Sequence, residues 1–133
     1  MNKVPFLDLG AATYELSCDI QSAIARVVQS GWYILGPELE HFEQDWASYC
    51  GSDHCIGVGN GLDALILGLR ALGVGAGDEV IVPAHTFVAT WLAVVAVGAT
   101  PVPVDANCDT LNMDVSAITA VITAQTKAIV PVH

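Results

Sequence analysis

Positive charge is scarce in this chain. Its 133 residues carry four Lys and Arg against fourteen Asp and Glu, a formal net charge of −10. A protein that grips a nucleic-acid backbone needs a basic face, and so few cations cannot build one. The same shortage disfavours docking on an anionic membrane surface. Long hydrophobic runs are missing too. The most apolar stretch, Trp91–Val97, ends at Gly98, far short of the roughly 20 residues a membrane span needs. No secretory signal opens the sequence, because Met1-Asn2-Lys3 leads into a mixed segment containing Asp8. A cytoplasmic location is therefore expected. Cys18, Cys50, Cys55 and Cys108 lack C-x-x-C spacing, so they are expected to be reduced thiols, buried or inert. Cys50 and Cys55 flank His54, but a metal needs three or four converging ligands, and no metal site is expected.

What the chain does have is apolar residue. The hydrophobic share is 53% and the charged share 14%, which fits a well-buried α/β layer rather than disorder. The length suits one domain or part of a larger one. Two helices come first. Ser17–Gln29 carries Ile20, Ala23, Ile24, Val27 and Val28 at the spacing of one buried stripe, and Gly31 ends it. Pro37 then opens a second helix with Glu38 and Glu40 in its first turn and Leu39, Phe42, Trp46 and Tyr49 on one face.

From residue 51 onward strand and helix alternate. Apolar runs predict strands near Cys55–Val58, Glu79–Val82, Pro101–Asp105 and Ala128–Val132. Helices are predicted over Leu62–Leu72, Phe87–Val97 and Asp114–Thr123. Such alternation indicates a three-layer αβα arrangement around a mostly parallel sheet with both faces covered. Ligands bind such sheets beyond the carboxyl ends of the strands. Two segments fall there: the turn Gly59-Asn60-Gly61 and the segment Ala84-His85-Thr86-Phe87.

The glycine turn runs from a strand into a helix. Its free N–H groups and the positive end of the helix dipole suit a phosphate. The glycines equally suit a tight turn with Asn60 or Asp63 as its cap. Phe87 is either a plate for a flat ring or a core residue. A phosphorylated, flat-ringed ligand satisfies both functional readings together. Classical dinucleotide binding is disfavoured. The third glycine of G-x-G-x-x-G falls at Leu62, and no acid ends the following strand at Ile81-Val82-Pro83. A P-loop is absent, since no Lys-Ser/Thr follows the glycines.

Taken in order, GWYILGPELEHFE, VGNGLDALILGLRALGVGAGDEVIVPAHTFVATWLAVVAVGATPVPVD and MDVSAITAVITAQTKAIVPVH resemble the nucleotide-sugar aminotransferases of the DegT family. These are fold type I enzymes that use pyridoxal 5'-phosphate (PLP). The resemblance runs from Pro5 to His133 and corresponds to about the first third of a family member. It implies that residues 1–133 are the amino-terminal part of the PLP-binding large domain. Residues 1–50 would be leading helices and 51–133 alternating βα units.

The resemblance also assigns roles. Gly61, Leu62 and Asp63 match the family's phosphate-binding turn, and Phe87 matches the aromatic that stacks on the cofactor ring. Many members carry a small hydroxyl residue where this chain has Leu62, so one side-chain hydrogen bond to phosphate is lost here. Asp63 is expected to turn its carboxylate away from the phosphate and cap the turn. Trp32 and Tyr33 match a segment that looks toward a neighbouring subunit's active site. They are expected to form a substrate or dimer surface, or else a plug beneath their loop. His85 is expected to be solvated, and Asp8, Asp105 and Asp109 to serve turns.

The implied activity transfers an amino group, typically from glutamate, to a nucleotide-linked keto-sugar, in polysaccharide or secondary-metabolite sugar biosynthesis. The implied partners are a nucleotide sugar, an amino-acid donor and a second copy of the chain, with neither nucleic acid nor membrane. Transamination needs a lysine that holds the cofactor and moves a proton, and an acid beside the pyridine nitrogen. The lysines here are Lys3 and Lys127, and neither sits at the strand edge where that work is done. No catalytic residue is therefore assigned, and the chain alone is expected to be an inactive amino-terminal fragment that is poorly soluble or dimerises non-specifically. Three alternatives stay open: a PLP-dependent sugar dehydratase of the same family, a non-catalytic binding or regulatory α/β domain, and a nucleotide-binding domain unrelated to PLP.

Overall fold

The computed structural model describes residues 4–133, so Lys3 lies outside the described residues. The chain divides into two compact units between Gly57 and Val58.

The first unit is helical. Helix α1 (Leu9–Glu15) starts at Asp8, whose carboxylate accepts the Ala11 N–H at 3.0 Å. At seven residues it is too short to show a clear period, and sequence patterning missed it. Helix α2 (Ser17–Ser30) ends at Gly31, where a φ of +66° suits glycine. Helix α3 (Pro37–Cys50) has Pro37 in its first turn. The stripe expected to be buried on α2 is a face without a cover. No α2 residue is buried, and Ile24 and Val28 are each 58% exposed. That face and Tyr33 line an open apolar groove of about 380 Å³. On α3, Phe42 stacks on Trp46 with ring centroids 6.0 Å apart, and Tyr49 is tilted against Trp46 at 5.6 Å.

Arg26 of α2 holds Glu38 of α3 through two hydrogen bonds of 2.8 and 3.1 Å. The guanidinium's hydrogen bonds hold the Glu38 carboxyl below the usual carboxylate range and raise Arg26 in return. A depressed carboxylate supports the folded state at neutral pH and loses that contribution as pH falls through its folded value. Titration of Glu38 followed by NMR is expected to show a midpoint below that of an unpaired glutamate, with high salt narrowing the difference because both groups are exposed.

The strand expected at Cys55–Val58 is not formed. A strand exists only by pairing, and no described strand pairs with these residues. The Gly57 N–H instead donates to the Glu43 carboxylate at 2.6 Å, and Ile56 is 79% exposed. The four cysteines are free thiols, but they are not buried: Cys18, Cys50 and Cys108 are exposed and Cys55 is half-buried. Among the described residues no cluster fit to hold a metal occurs, and no helix is long and apolar enough to cross a membrane.

The second unit is the α/β layer. In chain order it contains α4 (Gly61–Ala71), β1 (Glu79–Pro83), α5 (Ala89–Ala96), β2 (Thr100–Val104), α6 (Val115–Val121) and β3 (Thr126–Ile129). The strands form a parallel sheet in the order β2-β1-β3. Side chains alternate across β1, and that alternation builds two cores. Val80 and Val82 face one way, against Leu69 of α4 and Ala93 and Val94 of α5. Ile81 faces the other way, against Val104, Met113 and the apolar side of α6. Helices thus cover both faces of β1, giving the three layers anticipated.

The flanking strands are only partly buried. In β2, Thr100 donates to the Asp78 carbonyl and Val104 accepts from Ala84, so alternation turns Pro101 and Pro103 to the outer edge. β3 begins two residues earlier than expected and includes Lys127, which is exposed near the strand's amino end.

Candidate functional site

The chain leaves β1 on one side to reach β2 and later returns to the other side for β3. The carboxyl ends of β1 and β3 therefore flank a point where the winding reverses, the place where open α/β sheets receive ligands. An open cavity of about 590 Å³ lies there. That volume is within the range usual for small-molecule sites, about 300–1,000 Å³.

One wall is the start of α4. Asn60 is extended and caps the helix reciprocally with Asp63. Its side-chain oxygen accepts the Asp63 N–H at 2.9 Å, and its amide nitrogen donates to the Asp63 carboxylate at 3.0 Å. The Ala64 N–H goes to the Asn60 carbonyl. Among the described residues nothing takes the N–H groups of Gly61 and Leu62. Both residues line the cavity, so the positive end of α4 reaches it through these two donors. The space beside Gly61 is open, for a Cβ built there would meet no atom within 4 Å.

The other wall is the segment after β1. Phe87 sits there, 79% exposed. Thr86, Val88 and Leu92 continue the wall, and Leu65 and Val132 close it from α4 and from beyond β3. The lining is apolar apart from the helix start and two threonines.

Of the residues singled out from sequence, Gly61, Leu62 and Phe87 line this one cavity. Asp63 does not. Its carboxylate is tied back to Asn60, and its N–H is already used. Trp32 and Tyr33 belong to the helical unit. The Trp32 indole N–H donates to the Ile34 carbonyl at 2.7 Å, and a Cβ on Gly36 would stand a tight 3.2 Å from its ring. Tyr33 borders the apolar groove along α2. His85 is exposed and outside the lining. Asp105 accepts the Ala106 N–H between the end of β2 and an isolated bridge of Ala106 to Met113, and Asp109 donates its N–H to the Asn107 side chain within a turn. Lys127, near the amino end of β3, is at the opposite edge of the sheet from the cavity.

Thr86, Thr90 and Trp91 were missed from sequence. The two hydroxyls lie 3.0 Å apart, and the Trp91 indole N–H donates to the Pro83 carbonyl at 3.0 Å. The one available signal was the four-residue spacing of the threonines at a helix start.

Fold and cavity together define an α/β protein with an open parallel sheet and an open apolar cavity at its carboxyl edge. The chain belongs to the DegT/DnrJ/EryC1/StrS aminotransferase family, which it matches over residues 15–133. Over 131 residues it is 56% identical to the dTDP-3-amino-3,4,6-trideoxy-alpha-D-glucose transaminase of Streptomyces venezuelae, a match covering 98% of this chain and 35% of the relative. The crystal structure of DesV from S. venezuelae matches with a TM-score of 0.96 at 56% identity, covering all of this chain and 36% of that one. The Bacillus subtilis ntdA structure with bound cofactor PMP matches with a TM-score of 0.93 at 41% identity, covering 100% of this chain and 31% of that one. The architecture is that of the fold type I PLP-dependent transferases. The chain spans about a third of the length of the relatives it matches.

Proposed function

We propose that this chain forms the phosphate-binding and ring-binding part of a PLP site. The whole protein then moves an amino group, typically from glutamate, onto a keto-sugar carried by a nucleotide. It would act in the cytoplasm as a homodimer, with Trp32 and Tyr33 facing the partner's site, in making sugars for polysaccharides or secondary metabolites. The observation that carries the proposal is the placement on one cavity of two free N–H groups and one exposed aromatic ring.

The residues fit the cofactor in part. A phosphate needs donors at one point, and the N–H groups of Gly61 and Leu62 supply them at a helix start. A flat ring needs an apolar plate, and Phe87 offers one that nothing in its unit covers. Asp63, held by Asn60, keeps its charge turned toward the cap. Bound in this cavity, PLP supplies an electron sink for moving the amino group. The lining holds no amine and no acid that could move a proton, so these 133 residues bind and orient without catalysing.

The test compares pyridoxamine 5'-phosphate with pyridoxamine by calorimetric titration. These amines lack the aldehyde that would react at Lys3 or Lys127. The phosphate form is expected to bind about tenfold tighter or more, a difference of about 1.4 kcal/mol. Equal affinities would remove the phosphate role of Gly61 and Leu62 and with it the proposal.

A further inference from the structure

Phe87 has little packing of its own, since 79% of the residue is exposed. Its direction must therefore come from the backbone beneath it. Three contacts hold that backbone. The Pro83 carbonyl accepts the Trp91 indole N–H at 3.0 Å, the Phe87 carbonyl accepts the Thr90 N–H at 3.1 Å, and the Thr86 and Thr90 hydroxyls meet at 3.0 Å. Thr90 is 6% exposed, and it is the buried polar side chain among the described residues. Its hydroxyl has a single protein partner, the hydroxyl of the residue immediately before Phe87. A buried hydroxyl cannot exchange such a partner for water without cost. Thr90 thus reaches back from the first turn of α5 and closes a short loop with Phe87 inside it.

We infer that Thr90 is a positioning residue. Its hydroxyl, acting through Thr86, sets the orientation of Phe87 as the plate on which a flat phosphorylated ring lies. This rests on the PLP reading of the cavity. The bond is lost in Thr90→Val, while Thr90→Ser keeps it.

The experiment titrates pyridoxamine 5'-phosphate into the native protein, these two variants, Phe87→Ala and the double variant Thr90→Val/Phe87→Ala. Binding is followed by calorimetry and by the circular dichroism of the bound ring. Thr90→Val is expected to weaken binding about three- to tenfold and to diminish the ring signal. Thr90→Ser is expected to restore both. In the Phe87→Ala background Thr90→Val is expected to add nothing, the mark of coupling rather than general loosening. Equal losses from Thr90→Val in both backgrounds, or no loss in either, would overturn the positioning role. If Phe87→Ala itself leaves affinity unchanged, the plate has no function, and the inference falls together with the reading beneath it. Should Thr90→Val fail to fold, Thr86→Val breaks the same bond from its half-exposed side and takes its place in the cycle.

Discussion

Replacing Ile81 with alanine will lower the stability of the α/β unit by about 2–5 kcal/mol. Ile81 is fully buried at the centre of β1, the strand to which both others pair. Its side chain meets Val104 and Met113, with Ala117 and Ile118 of α6 behind them. Truncation removes the transfer free energy of the lost carbons and leaves a cavity between two layers that cannot both collapse into it. Domains of this size have about 5–15 kcal/mol in total, so the loss is a large fraction of the whole. Chemical denaturation of the protein should show a markedly lower midpoint. Val115→Ala, at an exposed position of α6, should stay within about 0.5 kcal/mol of the native value. Equal effects at the two positions would mean that β1 does not carry the core.

Gly61→Asp is expected to separate binding from folding. Gly61 lines the cavity, and a side chain there meets no protein atom. An acid in the first turn of α4 favours the helix dipole, and losing glycine reduces the freedom of the unfolded chain. Stability should therefore hold or rise slightly. The new carboxylate would stand beside the N–H groups that a phosphate needs. Like charges about 4 Å apart repel by about 4 kcal/mol at an effective dielectric constant of about 20, and solvent in an open cavity screens part of that. Affinity for pyridoxamine 5'-phosphate should fall by more than about tenfold, a loss above about 1.4 kcal/mol, while Gly61→Asn loses much less. Unchanged affinity in Gly61→Asp would place the phosphate elsewhere.

The alternation of strand and helix was legible because each element of the α/β unit is a short apolar run between turn residues. The layer order and the cavity's place at the strands' carboxyl ends followed from it. So did the meeting of Gly61, Leu62 and Phe87, which share that edge. Element ends were less legible. The helix expected from Phe87 starts at Ala89, because Thr86 and Phe87 are held in the segment that joins β1 to it. The strand expected at Cys55–Val58 shows a deeper limit. Apolar composition states that a segment can pair, and pairing depends on what lies beside it. The α2 stripe is a similar case, since periodicity defines a face and not what covers it. The grip of Thr90 on Thr86 has no signature at all in composition.

The two prolines of β2 give the sheet a direction of growth. Pro101 and Pro103 have no N–H, and the register turns both toward the edge away from β1. A strand arriving on that side would find no donors at those positions. β3, Thr126 to Ile129, contains no proline, and alternation turns the Lys127 and Ile129 N–H groups to the side away from β1. Any strand added to this sheet, whether from the same polypeptide or by accident from another, is steered to β3. The prolines weaken one border of the described sheet as a pairing edge and leave the other better furnished to continue the ladder.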